Sequence, residues 1–220
     1  MKEICHNIHK IKKNLPPDVT LVAVSKTKPV SDILDAYNCY QRHFGENKVQ
    51  ELVNKYEKLP KDINWHMIGH LQRNKVKYIV PFVYLIHGVD NLKLLQEIEK
   101  QAAKINRIVN VLLQIKIARE TTKFGMNEEL LSEIVNLYQN NTFTHIQLKG
   151  LMGMATHTTD SKQIAGEFRY LHQLFEKYNR ILPEFTYLSM GMSGDYPIAV
   201  ANGSNLIRIG SAVFGARTYM

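Results

Sequence analysis

The chain has 220 residues, 45% of them hydrophobic, and a formal net charge of +8. That length can bury one sizeable core, and no run of about 18 uninterrupted apolar residues is present to cross a bilayer. The lysines are spread along the whole chain with no basic block interleaved with aromatics, so nucleic-acid binding is not expected as the main function, and an anionic ligand such as a phosphate fits the charge as well.

In residues 1–15, Ile4, Ile8, Ile11 and Leu15 recur at helical spacing among Lys, His and Asn. This predicts an amphipathic helix and not a signal peptide, so a cytoplasmic protein is expected. Cys5 and Cys39 form no CxxC pair and no metal-ligand spacing, and both are expected as free thiols. Residues 18–27 are apolar and β-branched almost throughout, as in a strand buried on both faces. Further strands are predicted over 42–46, 64–69, 84–90, 107–117, 146–154, 185–192 and 206–214.

Between them run apolar stripes of helical period. One joins Val49, Leu52, Val53 and Tyr56; a second joins Leu94, Leu95, Ile98 and Ala102. A third joins Leu130, Leu131, Ile134, Val135 and Tyr138; the longest joins Ile164, Phe168, Leu171, Phe175 and Tyr178. Asn127 and Asp160 stand where N-caps are needed. Eight strands alternating with helices predict a closed (β/α)8 TIM barrel over residues 1–220, with an extra N-terminal helix. An open dinucleotide-binding sheet would need GxGxxG after the first strand, where the chain instead reads Ser25-Lys26-Thr27-Lys28-Pro29.

Functional groups of parallel barrels gather at the C-terminal ends of the strands. Lys26 and Lys28 fall there, and residues two apart on a strand share a face, so position leaves both open. A desolvated lysine loses its proton readily, and its amine can then attack an aldehyde to form a Schiff base. Towards the other end, Ser189–Asp195 reads SMGMSGD before a helical segment at 196–202. Gly191 and Gly194 permit tight turns, Asp195 can cap the helix, and Pro197 suits its first turn. Ser193, with the backbone of Gly210 and Ser211, could hold a phosphate in the loops after strands seven and eight. Arg208 would point into the barrel and needs an acceptor, because its charge cannot be lost by deprotonation. His66 and His70 are four apart, but Gly69 falls between them at a strand end. They are expected as ordinary polar residues, and no metal site is expected.

Several segments carry a resemblance. AVSKTKP (23–29), FGEN (44–47), WHMIGHLQRNK (65–75), KGLMGM (149–154), SMGMSGD (189–195) and RIGSAVFGAR (208–217) are similar, in order, to the pyridoxal 5'-phosphate (PLP) homeostasis proteins. That family is related to the N-terminal barrel of alanine racemase. The resemblance implies a barrel of the alanine-racemase type and PLP as cofactor, held as a Schiff base on Lys26 rather than Lys28. It further implies that Ser193, Gly210 and Ser211 hold the phosphate and that Arg208 faces the pyridine nitrogen. Asn47 and His66 lie in family motifs near the site. The implied function is storage, carriage or regulation of PLP, with apo PLP enzymes or free amines as recipients.

Catalytic turnover is not expected. Alanine racemase draws its second base from a partner's second domain, whereas this chain ends at Met220, so an open cofactor face and a monomer are expected. The alternative is a small PLP-dependent amino-acid racemase or decarboxylase. A basic interaction module would instead show steeply salt-dependent binding and no chromophore.

Overall fold

In this computed structural model, which describes residues 2–120 and 123–215, eight parallel strands pair in chain order and the last returns to the first. The strands are β1 (Thr20–Val24), β2 (His43–Glu46), β3 (Asn64–Met67), β4 (Leu85–Val89), β5 (Val109–Gln114), β6 (Ile146–Met152), β7 (Tyr187–Ser189) and β8 (Leu206–Ile209). The helices are α1 (Lys2–Lys13), α2 (Val30–Asn38), α3 (Val49–Lys58), α4 (Val76–Ile79), α5 (Leu92–Ala103), α6 (Glu128–Gln139), α7 (Ser161–Asn179), α8 (Tyr196–Ala201) and α9 (Ser211–Phe214). A single 3-10 turn, Arg73–Lys75, leads into α4. The expected (β/α)8 barrel with an extra N-terminal helix is therefore present. Among the described residues no helix is long and apolar enough to cross a membrane.

Most strands end earlier than the sequence suggests. Residues 190–192 and 210–214 continue the apolar pattern of their strands but form loop and the short helix α9. Gly191 at φ +95° and the N-cap Gly210 turn the chain there. The apolar continuation reflects burial and not extension: Met190, Val213 and Phe214 all pack in the core. The last two residues of the RIGSAVFGAR motif, 216 and 217, lie outside the described residues.

Two apolar layers follow from strand alternation. Val22, Leu85, Leu112, Met152 and Leu206, one from each of five strands, form a small cluster of their own inside the barrel. The larger core lies between strands and helices, where Ile33, Leu52, Leu95, Ile134 and Phe168 are fully buried. Asn127 accepts a hydrogen bond from Leu130 N, and Asp160 accepts from Lys162 N and Gln163 N, so both cap as expected.

The cysteines correct an expectation. Cys5 of α1 and Cys39 at the end of α2 are joined as a disulfide, with their Cα atoms 5.5 Å apart. α1 packs against α2 and α9, which brings two thiols 34 residues apart together.

Gly150 is the tightest backbone approach in the barrel wall. Its φ is +145°, and a Cβ there would stand 1.8 Å from the carbonyl oxygen of Tyr187 on the neighbouring strand. No side chain fits without parting β6 from β7. Gly150→Ala is expected to lower the unfolding free energy by about 3 kcal/mol or more, read from the urea midpoint.

Candidate functional site at the C-terminal mouth

Because every strand runs the same way, the C-terminal ends share one mouth. β1 pairs with β8 so that Val22 faces Arg208 and Ala23 faces Ile209. A Cβ on Gly210 would lie 3.3 Å from Val24 O, so Gly210 stands against the strand end just before Lys26. The lysine turn and the last two loops thus meet across one seam.

Lys26 occupies a tight turn closed by Lys28 N donating to Ser25 O at 3.0 Å. Thr27, a β-branched residue, takes φ +65°, which costs about 1 kcal/mol or more. A buried polar cluster holds this turn. Ser25 Oγ donates to Glu46 Oε1 at 2.6 Å, Lys55 Nζ donates to Ser25 O at 2.8 Å, and Thr27 N donates to Glu51 Oε1 at 2.6 Å. Lys55 also pairs with Glu46 at 2.8 Å and Glu51 at 2.7 Å. Sequence reasoning missed this cluster. Lys55 sits one residue before the apolar Tyr56 of its helix and reads as a solvated charge.

Lys28 and Lys26 part company at the turn. Lys28 Nζ donates to Phe214 O at 2.9 Å, which ties the β1 loop to α9. Half-buried Lys26 follows Val22 and Val24 of the strand, the former in the barrel-interior cluster.

In the loops after β7 and β8, Ser193 is half-buried and Ser211 exposed, and a Cβ on Gly194 would meet nothing within 4 Å. The opening beside Gly194 and the first turn of α9 at Gly210 and Ser211 leave room and backbone N–H groups for an anion. Asp195 departs from expectation. It stands at the start of α8, but its carboxylate makes no cap bond. It accepts instead from Met192 N, bracing the loop that carries Ser193.

Arg208 is buried on β8 inside the barrel. Its Nη2 donates to Gly153 O at 3.0 Å and its Nη1 to Ser189 Oγ. Burial pulls its pKa down to about 10, opposed by the charge of Asp195. Asn47 lies at the end of β2, where it lines a cleft of about 530 Å³ with Lys48, His70, Lys75 and Tyr78.

His66 is not in the mouth. It is fully buried on β3, hydrogen-bonded to His43 and His87. His70 is exposed, lies 3.4 Å from Asp90 and stacks on Phe124. Among the described residues no group of three or more His, Cys, Asp or Glu could hold a metal.

Glu46 titrates unusually. Burial pushes its carboxyl up to about 6 despite Lys55 beside it, and Oε2 has no partner. A carboxyl raised in the fold stabilises below its unfolded pKa and loses that contribution as pH rises through the folded one. From well below pH 4.5 to well above pH 6, the stability of Glu46→Gln relative to the parent should therefore rise by about 2 kcal/mol in total. Urea unfolding at a series of pH values checks this.

Comparison with known proteins agrees with this geometry. The family described as "Alanine racemase, N-terminal domain" matches residues 1–218. A pyridoxal phosphate homeostasis protein of Aquifex aeolicus is 39% identical over 204 residues, covering 90% of this chain and 87% of the relative. One of Helicobacter pylori is 42% identical over 200 residues, covering 89% and 87%. The structure of PipY of Synechococcus elongatus with PLP bound superposes with a TM-score of 0.87 at 34% identity, covering 96% of this chain and all of that one. An alanine racemase of Clostridium difficile, 15% identical, shares the fold at a TM-score of 0.78; this chain spans 58% of its length. The chain belongs to the pyridoxal phosphate homeostasis protein family, built on the barrel of the alanine racemase N-terminal domain.

Proposed function

We propose that this protein binds PLP as a Schiff base on Lys26 and works in intracellular PLP homeostasis by storing, carrying or regulating the cofactor. The observation that carries the reading is the β1–β8 seam, which sets a lysine turn against the Gly210–Ser211 turn. The residues fit the group. The space beside Gly194 and the N–H groups of the α9 turn suit a phosphate, and Arg208 suits the ring nitrogen. When bound, PLP supplies an aldehyde for the amine and an electron-withdrawing ring.

The chain's own residues do the rest. Glu46, Lys55 and Glu51 hold the turn that presents Lys26. Lys28 Nζ bonds Phe214 O and ties the turn to α9. Asn47 contributes from the β2 end, and Asp195 braces the Ser193 loop. Arg208 offers the ring nitrogen a group that does not readily give up a proton, which favours holding the cofactor over driving carbanion chemistry. Relatives named for PLP homeostasis, and PipY with PLP bound, support the same reading. Exposed Ser211 and Gly194 leave the mouth open to free amines or to the lysines of acceptor enzymes. A cytoplasmic monomer belongs to this reading, and sedimentation of the holoprotein tests the oligomeric part.

Borohydride reduction of the PLP-loaded protein followed by peptide mapping should place a pyridoxyl group on Lys26. Lys26→Ala should lose the covalent adduct entirely and keep weak, phosphate-competable binding. Labelling of Lys28 in the parent, or a protein that takes up no PLP, would overturn the assignment.

A further inference from the structure

The barrel interior holds a line of polar groups that the cofactor reading does not use. Asn64 Nδ2 lies 3.3 Å from His43 Nε2, His43 Nδ1 lies 2.9 Å from His66 Nε2, and His66 Nδ1 lies 2.8 Å from His87 Nε2. His87 Nδ1 lies 3.0 Å from Ser189 Oγ, which also accepts from Arg208 Nη1. The line draws on β2, β3, β4, β7 and β8. It runs from the beginnings of β2 and β3 to the arginine beneath the mouth. His66, His87 and Ser189 are fully buried, whereas half-buried His43 lines a cleft of about 380 Å³ with Lys12, Tyr40 and Arg42.

A neutral imidazole has one donor and one acceptor nitrogen, so three rings bonded head to tail can point in only two senses. In the first, every ring carries its hydrogen on Nδ1 and the donors point towards Ser189. In the second, every ring carries it on Nε2, and Ser189 donates its hydroxyl hydrogen to His87. The two ends favour opposite senses. The amide nitrogen of Asn64 can only donate, which makes His43 Nε2 an acceptor and selects the first. Ser189 already accepts from Arg208, so its hydrogen is best used towards His87, which selects the second.

We propose that His43, His66 and His87 are positioning residues that form one two-state chain, linking the proton on His43 at the lower mouth to the Ser189–Arg208 pair under the cofactor. A doubly protonated His43 must donate from Nδ1 to His66, which forces the first sense on the whole line. The change gains one proton from water overall. Starting from the second sense, His43 then holds two, so Nε2 no longer accepts and the Asn64 amide must turn from it; His66 and His87 each move theirs from Nε2 to Nδ1, and Ser189 keeps its own but turns it away from His87. By reciprocity, a ligand that engages Arg208 changes the proton affinity of His43.

The surroundings suit a trigger at the lower end alone. Burial holds His66 and His87 well below the ordinary histidine range, so neither charges. His43 is lowered less, first by burial and then by Lys12. The other groups facing it are Arg42, whose charge is paired with Asp62 at 3.1 Å, and Tyr84, edge-on to its ring. Tyr84 bonds Tyr187, whose pKa burial raises to about 12. At the upper end Arg208 faces Asp195.

The test is nitrogen NMR of the imidazoles in the ligand-free full-length protein between about pH 8 and pH 5. His66 and His87 should stay neutral yet switch tautomer together, at the midpoint where His43 gains its proton. In His43→Gln both should keep one tautomer throughout. In His66→Phe, His87 should no longer follow His43. PLP should move the His43 midpoint by ~0.3 unit or more, about twofold in proton affinity, in the parent but not in His66→Phe. Tautomers that stay fixed while His43 titrates, in the parent protein, would overturn the proposal. The ligand half rests on the PLP reading, and the two fail separately. An unlabelled Lys26 sinks that reading and leaves the tautomer result standing; a labelled Lys26 with an unresponsive His87 sinks only this one.

Discussion

Val22 faces Arg208 and Ala23 faces Ile209 across the seam where the barrel closes, and the chemistry of the mouth depends on that register. The two strands lie at opposite ends of the chain and are neighbours only because the sheet is closed. Parallel pairing forces their C-terminal ends to one side. A lysine four residues beyond Val22 and a glycine–serine turn just beyond Ile209 then share a rim. A slip of one residue would turn Arg208 out of the barrel, because successive side chains on a strand point to opposite faces.

The lysine turn exacts a cost that the surrounding cluster offsets. Thr27 sits in a left-handed conformation that a β-branched residue avoids, and Glu46 is held where burial resists its charge. Lys55 reconciles the two. It reaches past the strand end to bond Ser25 O, Glu46 and Glu51 together, and Glu51 in turn accepts from Thr27 N. A turn held this way has little freedom left to lose when a ligand binds at it.

Much of this was legible in the chain. The apolar, β-branched run at 18–27 and the stripes from Val49, Leu94, Leu130 and Ile164 carry their periods openly, and eight strands follow from them. Helix α2 was not, because Pro29 and the charged Asp32 and Asp35 obscure the short stripe of Ile33 and Ala36. Strand ends were overextended wherever burial continued past the last strand residue, as at Met190 and Val213. Groups that meet across strands leave no local signal. His43, His66 and His87 lie 23 and 21 residues apart, and nothing in their neighbours says that β2, β3 and β4 bring them into line. The pairing of Cys5 with Cys39 is hidden in the same way, since it depends on how α1 lies over α2. Asp195 carried a plausible capping signal, but the nearer N–H of Met192 claimed its carboxylate.

The interior of such a barrel is ordinarily filled by Val, Ile and Leu, as it is at Val22, Leu85, Leu112 and Leu206. Replacing part of that filling with three imidazoles gives up apolar packing and demands that every nitrogen find a partner. The alternative partner for Arg208, a buried carboxylate, would hold the guanidinium as firmly but would cancel its charge. A serine backed by neutral rings fixes the arginine in place without adding a negative charge beside it. Asp195, the acid that faces Arg208, is turned to Met192 N and braces the loop instead. The polar filling therefore holds the Arg208 guanidinium without a carboxylate bonded to it, and the burial that depresses His66 and His87 keeps a second charge away from it.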